Sequence, residues 1–196
     1  RGDWARELGV TAVPLHALSL LESVALLRQI APHATIAEAE QIANEVGRLP
    51  LALHLAGSFL SRYQRISPTA YLAQLRDENL LQHPSLQGYG LTHSPTGHAL
   101  SLARSFAVSF DQLDDQDATD QMARQLLAHA ICFAPGEPLA QDLLLATVLL
   151  PDSGGVLDIA SVLQAEDGLA RLVALGFLRR EGVEQLVIHR LVRTFA

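Results

Sequence analysis

Apolar residues recur at intervals of three and four positions through most of the first half of the chain, a spacing that predicts helices. Residues 19–22 and 35–38 each form a capping-box pattern, because a hydroxyl residue precedes a glutamate by three positions. Pro50 and the Ser-Pro pair at 67–68 predict the starts of two further helices, since proline suits a first turn. We therefore expect a helical bundle subdomain over residues 19–84.

The stretches on either side of this subdomain differ from it in composition. Residues 9–15 are rich in β-branched side chains, which predicts a short strand or the end of one. Residues 83–98 are rich in Gly, Pro, Ser and Thr, a composition typical of loops. We expect an interdomain linker over residues 85–98.

The second half of the chain predicts helices followed by a β-hairpin. The predicted helices cover residues 99–113, 117–133, 140–149, 158–163 and 166–175. The hairpin follows with strands at 177–180 and 183–188, and another helix begins at residue 189. A hairpin directly after the last main helix is typical of a winged helix. The expected fold is thus mainly α, with a helical bundle followed by a winged-helix subdomain over residues 99–196.

Composition narrows the chemistry that the chain can perform. All 14 basic residues are arginine, so a phosphate-loop lysine, a Schiff-base lysine and a lysine general base are excluded within this chain. Cys132 is the single cysteine, which excludes an internal disulfide and a cysteine-based zinc cluster. The net charge of −7 argues against a general nucleic-acid coat. No apolar run approaches the ~18 residues of a membrane span, and no secretory leader is visible.

Candidate catalytic and metal-binding groups are sparse. Cys132 lies in an apolar helical stretch, so we expect a buried, unreactive thiol. His93 and His98 share the predicted linker, but two histidines without further ligands are a weak metal signal. The acidic run at 111–120 lacks the ligand spacing and central glycine of a calcium loop, and we expect it to begin a helix.

The winged helix raises the alternative of a DNA-binding transcriptional regulator. A reader of this kind needs polar or basic side chains at the start of its recognition helix. We predict that start at residues 164–167, Gln-Ala-Glu-Asp, which is acidic where phosphates would come closest. Arg179 and Arg180 in the hairpin supply a basic strip, so DNA binding stays as an alternative although nucleic acid is not the expected partner.

Two short motifs resemble a known family. Residues 47–53, Gly-Arg-Leu-Pro-Leu-Ala-Leu, predict by their chemistry alone a rigid corner between two helices. They are also similar to the G-x-P motif of NB-ARC ATPases, which belong to the STAND class of signalling switches. Residues 187–193, Val-Ile-His-Arg-Leu-Val-Arg, resemble the region of the MHD motif in that family. The order of strand remnant, helical unit, linker and winged helix fits the family as well, and residues 1–18 would be the remnant of its nucleotide-binding domain.

The resemblance implies an ADP site shared between the two motifs. In the family, the proline of the first motif packs against adenine, which corresponds to Pro50. The resemblance also implies ADP contacts for Gly47, Leu49 and Leu51. The histidine of the second motif hydrogen-bonds the ADP β-phosphate, which corresponds to His189. An imidazole can donate to phosphate oxygens, and a proline ring offers a rigid apolar face to a base.

This chain departs from the family pattern at two positions beside the histidine. Ile188 stands where the family has methionine, and Arg190 stands where it has aspartate. In the family this aspartate fixes the local geometry around the histidine that contacts ADP. We call this contact the latch, and the chain therefore differs from the family in one part of it. Arg190 is instead a candidate for contact with phosphate or with a neighbouring domain.

The resemblance implies a regulatory role without catalysis by this chain. The phosphate-loop lysine is missing, so ATP and Mg²⁺ would be gripped by an upstream nucleotide-binding domain, and we expect no tight nucleotide binding here. The implied partners are that domain, a C-terminal sensor or repeat domain, and other copies of the protein when it is activated. We expect a cytoplasmic fragment of a larger protein, since the chain starts at Arg1 and stops inside a predicted helix. The remaining alternative is an interaction scaffold without a ligand.

Overall fold

The computed structural model describes residues 16–77, 98–149, 157–189 and 191–192, and within them the protein is mainly helical with a small antiparallel sheet. This confirms the predicted fold class. Residues 16–77 form four helices, α1 Leu20–Ile30, α2 Ile36–Glu45, α3 Pro50–Arg62 and α4 Pro68–Leu75.

Local sequence chemistry explains where these helices begin. Ser19 accepts a hydrogen bond from the Glu22 amide at the start of α1, and the Glu22 carboxylate accepts from the Ser19 amide at 2.8 Å. Thr35 and Glu38 repeat this capping box at α2. Pro50 is the first residue of α3, where its missing N–H leaves no hydrogen bond unmade. Both capping boxes and the proline start are confirmed.

The second half has the connectivity of a winged helix. Its elements are α5 His98–Phe110, α6 Ala118–Ala130, β1 Leu139–Ala140, α7 Gln141–Ala146, α8 Ile159–Ala174, β2 Leu178–Glu181 and β3 Gln185–Ile188. The strands form an antiparallel sheet in the order β1-β3-β2, so the β2–β3 hairpin is the wing and β1 closes the sheet beside it. Gly182, with φ of 73°, supplies the left-handed residue that the hairpin turn requires.

Two predictions about this half are wrong in detail. The predicted break between residues 163 and 166 does not exist, because α8 runs unbroken from Ile159 with Asp158 as its cap. The sequence there holds no residue that ends a helix, and Gly168 lies where α8 approaches α6. A Cβ at Gly168 would come within 2.9 Å of Met122 Cγ, so glycine is kept for close packing. The predicted helix at 140–149 is shorter and follows the two-residue strand β1.

One hydrophobic core extends through both halves. Phe106 of α5 is fully buried, and its ring lies 5.0 Å from that of Phe177 at the start of the wing. Helix α5 also packs against α3 of the first half. Gly176 has φ of 81°, and a Cβ there would come within 2.9 Å of Ser58 Oγ on α3. The wing is therefore held close to α3.

Several sequence predictions lie outside the described residues. These are the strand at 9–15, almost all of the linker at 85–98, the end of the helix after 189, and Arg190. The subdomain boundaries stay predictions.

Candidate functional site

A cleft of about 330 Å³ lies between the start of α3 and the wing. Its apolar wall is formed by side chains from the start of α3, the loop before β1 and the wing, namely Pro50, Leu51, Pro135, Phe177 and Val187. Three polar side chains share the same cleft, His54, Arg179 and His189. The volume is at the lower end of the range usual for small-molecule sites.

The start of α3 is fixed by the turn that precedes it. Gly47 and Arg48 are both left-handed, with φ of 67° and 55°. Their amides donate to the carbonyls of Asn44 and Ala43, the pair of hydrogen bonds that closes a helix in a Schellman motif. The chain therefore leaves α2 and enters α3 through a rigid corner. Pro50 stands at the end of this corner with its ring in the cleft.

His189 reaches the cleft from the far end of the chain. It follows β3, whose Ile188 carbonyl accepts a hydrogen bond from the Gly136 amide at 2.9 Å. The imidazole Nδ1 lies 3.1 Å from the Leu191 amide nitrogen, which donates to it. The neutral ring therefore carries its proton on Nε2, so that the nitrogen farther from the main chain is a donor.

Sequence reasoning did not single out His54, and it considered Arg179 only as part of a basic strip for DNA, yet both side chains line the cleft. His54 comes four residues after Pro50, one helical turn along the same face of α3. Arg179 pairs across the hairpin with Val187, and both side chains face the cleft. Helix periodicity alone could have found His54. Arg179 required the strand register, since its neighbour Arg180 faces the other side and donates to Gln141 Oε1 at 2.8 Å.

The two basic groups influence each other across the cleft. Burial lowers the pKa of the His54 imidazole below its usual value, and the positive charge of Arg179 lowers that pKa further. His54 is therefore neutral at pH 7, and Arg179 carries the charge of the pair. The cleft thus presents an apolar wall, a cationic edge and an imidazole donor. Such a surface suits a planar ring that carries an anionic group.

The structure brings some of the predicted site residues together and leaves others out of the cleft. Pro50, Leu51 and His189 all line it, although they are far apart in the sequence. Gly47 and Leu49 do not line it. They act on the backbone instead, as the left-handed turn after α2 and the extended residue that caps α3.

The prediction of a buried thiol at Cys132 is wrong. Cys132 is exposed, because α6 ends at Ala130 and the thiol lies in the turn beyond it. The acidic run behaves as expected, since Asp117 caps α6 by accepting from the Asp120 amide at 2.9 Å. Across the described ranges no group of three His, Cys, Asp or Glu side chains is placed to hold a metal. No helix in those ranges is long and apolar enough to cross a membrane.

Helix α8, which holds the position of a recognition helix before the wing, begins earlier than the predicted start at residue 164. Since α8 starts at Ile159, the large side chains presented at its first turns are the apolar Ile159 and Leu163, which are 76% and 60% exposed. The acidic residues at 166–167 lie further along the helix. The first five residues of α8 carry no basic side chain for phosphates, and the hydroxyl of Ser161 among them donates to Asp158.

Comparison with known proteins does not identify a relative. No protein-family model matches this chain, and no curated protein is significantly similar to it.

The electrostatic coupling in the cleft gives a first testable prediction. We expect Arg179→Gln to raise the pKa of His54 toward its usual value, while burial keeps that pKa below about 6.5. The measurement is an NMR titration of the His54 ring protons. Arg180→Gln is the matched control, because it removes the same charge from the opposite face of β2 and should leave the His54 pKa unchanged. An equal effect of both variants would contradict the facing of Arg179 and His54.

The lowered pKa of His54 also fixes the sign of a stability effect. The unfolded chain binds a proton at His54 more readily than the folded chain does. This contribution to the free energy of unfolding is therefore intact above about pH 6.5 and is lost as the pH falls toward the pKa of the folded state. Denaturant titrations at several pH values give the free energy of unfolding as a function of pH. In this window we expect that free energy to depend less steeply on pH in His54→Gln than in the unaltered chain.

Proposed function

We propose that this chain is the helical and winged-helix portion of an NB-ARC-type STAND switch, and that its cleft contributes to an ADP site. One observation carries the proposal. The proline of the G-x-P-like motif and the histidine of the MHD-like motif line the same cleft. A ligand-free scaffold would not need these two side chains to meet.

The side chains present fit an adenine nucleotide. Pro50 and Leu51 provide apolar surface for a base, and the Nε2–H of His189 is a donor for a phosphate oxygen. Bound ADP supplies no chemistry of its own in this role and acts as a bridge between the two halves. Arg190 remains a candidate for a contact to phosphate or to a neighbouring domain.

The proposal assigns the hydrolytic parts to another domain. Without lysine this chain cannot form a phosphate loop, so ATP, Mg²⁺ and hydrolysis belong to an upstream nucleotide-binding domain. Exchange of ADP for ATP would release the cleft and let the winged helix move relative to the helical unit, in the manner of a ligand-driven population shift. The other proposed partners are a C-terminal sensor domain and further copies of the protein, in the cytoplasm.

The exposed start of α8 weighs against the DNA-binding alternative. Ile159 and Leu163 occupy positions where a DNA reader presents polar or basic groups. A duplex shift by this chain that weakens with salt and is lost in the Arg179→Ala, Arg180→Ala double variant would favour that alternative.

Nucleotide retention by the protein that the complete gene encodes tests the proposal. We expect ADP to remain bound through gel filtration of the parent, and His189→Ala to release it at least tenfold faster, because one hydrogen bond to a charged group is lost. Released nucleotide is measured by chromatography. His33→Ala is the matched control, since His33 is exposed in the turn between α1 and α2, away from the cleft. Equal retention in His189→Ala would remove the latch role, and a parent without a phosphate loop would overturn the assignment.

A further inference from the structure

Arg179 is a cation in a cleft whose lining holds no carboxylate. The lining residues in the described part of the chain include Arg179 and two histidines, but neither Asp nor Glu. Glu181, at the end of the same strand, is outside the cleft and lies 3.5 Å from Arg179 Nη2. Both of these side chains are at least half exposed, so the pair contributes little to stability. The guanidinium can therefore exchange this partner for another anion at small cost.

The register of the wing aims Arg179 into the cleft. Arg179 and Val187 are opposite each other in the β2–β3 ladder, and both line the cleft. Phe177, two residues before Arg179, is buried beneath the same cleft and anchors the strand in the core. The backbone of Arg179 is thus held in place by the strand, while its exposed guanidinium can still reorient to bind a ligand.

His54 lines the same cleft from the side of α3. It is half-buried on α3, where its ring lies close to Gly176 at the entry to the wing. Both His54 and Arg179 line this cleft, and the charge of Arg179 lowers the pKa of the imidazole beyond the larger effect of burial. A neutral ring adds no negative charge to the cleft, so the exposed Glu181 carboxylate is the counter-ion that Arg179 has among the contacts described above. An apolar cleft whose cation has only a weakly held, exposed counter-ion favours an anionic ligand.

We propose that Arg179 is a specificity-determining residue of the cleft, whose guanidinium binds the phosphate of a nucleoside diphosphate and exchanges its contact with Glu181 for that phosphate. This inference rests on the proposed function and adds a residue to it that neither motif contains. The ring of the ligand meets the apolar wall, and Arg179 discriminates a phosphorylated ligand from the bare nucleoside. Guanidinium groups pair with phosphate through two parallel hydrogen bonds, which favours this role over simple charge attraction.

Titration of the ¹⁵N-labelled chain by NMR tests the proposal, because the method detects the weak binding expected without the upstream domain. The probes are adenosine, ADP and inorganic pyrophosphate, and the readout is the shift of amides in β2 and the first turns of α3. In the unaltered chain we expect ADP to bind about tenfold more tightly than adenosine. In Arg179→Gln this ratio should fall to about one, with adenosine affinity changed by less than about twofold.

Three further variants sharpen the test. Arg180→Gln is the matched control and should keep the tenfold ratio, since its side chain bonds to Gln141 on the other face. Glu181→Gln removes the competing carboxylate and should strengthen ADP and pyrophosphate binding by a few-fold. Arg179→Lys keeps the charge without the planar fork and should recover part of the ratio.

The outcomes separate this inference from the proposed function. An unchanged ratio in Arg179→Gln would overturn the role of Arg179 while the nucleotide cleft stands. Pyrophosphate could shift the cleft amides in an Arg179-dependent way while adenosine and ADP shift none of them. That result would support the anion contact and overturn the nucleotide assignment for this chain. If none of the three probes shifts cleft amides, the role of Arg179 is overturned, and ADP retention by the parent alone decides the proposed function.

Discussion

Replacing Phe106 by alanine is expected to lower the free energy of unfolding by about 3–5 kcal/mol. Phe106 is fully buried, and its ring lies 5.6 Å from that of Phe110 and 5.0 Å from that of Phe177. These three rings join α5 to the start of the wing, and α5 also packs on α3. The substitution therefore opens a cavity where both halves of the protein meet.

Denaturant unfolding followed by circular dichroism measures this loss. Leu163→Ala is the control, because Leu163 is an exposed apolar residue on α8 and its truncation removes little buried surface. We expect that variant to stay within about 1 kcal/mol of the parent. Since the core is continuous, unfolding should remain one cooperative transition. Equal losses in the two variants, or two separate transitions in the parent, would contradict a shared core at Phe106.

Helix starts were predictable because their chemistry is local. A capping box needs only four consecutive residues, and both boxes form with the expected partners. Pro50 and Pro68 mark the first turns of α3 and α4 for the same reason. Amides in a first turn have no acceptor within the helix, so the N–H that proline lacks is not needed there. The hairpin followed from alternation and a glycine at the turn.

The parts that were mispredicted depend on partners distant in the sequence. The strand β1 has two residues and exists because Leu139 pairs with Leu186 of β3, which no local pattern indicates. Helix α8 tolerates Gly168 in its interior because α6 packs so closely there. The exposure of Cys132 depends on where α6 ends, and helix ends are set by the surrounding packing as much as by sequence.

The cleft shows the same division between local and distant information. The corner at residues 47–50 follows from a glycine and a proline in sequence, and the structure forms it as a Schellman turn that leads into α3. Pro50 and His189 line one cleft because the wing packs against α3, and this close packing requires glycine at position 176. Arg179 entered the site through strand register, a property that the sequence of one strand does not fix.

Replacing Asp120 by alanine is expected to lower the free energy of unfolding by about 3 kcal/mol, because it strands a charge in a poorly solvated site. Asp120 Oδ1 lies 2.7 Å from Arg171 Nε, and the side chains of the pair are only 10% and 14% exposed. Asp120 Oδ2 also accepts from the Asp114 amide at 3.0 Å. One carboxylate thus connects α6, α8 and the loop before α6.

The remaining contacts of Arg171 do not replace the lost carboxylate. Its Nη2 donates to the Gln112 carbonyl at 2.7 Å, and its guanidinium lies over the Tyr63 ring at 5.6 Å. Neither group carries a negative charge. Asp120→Asn keeps the shape and an acceptor, so its loss should be smaller than that of Asp120→Ala.

Asp115→Ala provides the contrast that isolates burial as the cause. Asp115 also pairs with an arginine, Arg124, at 3.1 Å, but its side chain is 71% exposed. Water screens that pair, so its removal should cost no more than about 0.5 kcal/mol. Chemical denaturation of both variants at pH 7 gives the comparison, and equal losses would mean that burial does not govern the Asp120 pair. In the double variant Asp120→Leu, Arg171→Met both charges are gone, and we expect most of the lost stability to return because no buried charge is left unpaired.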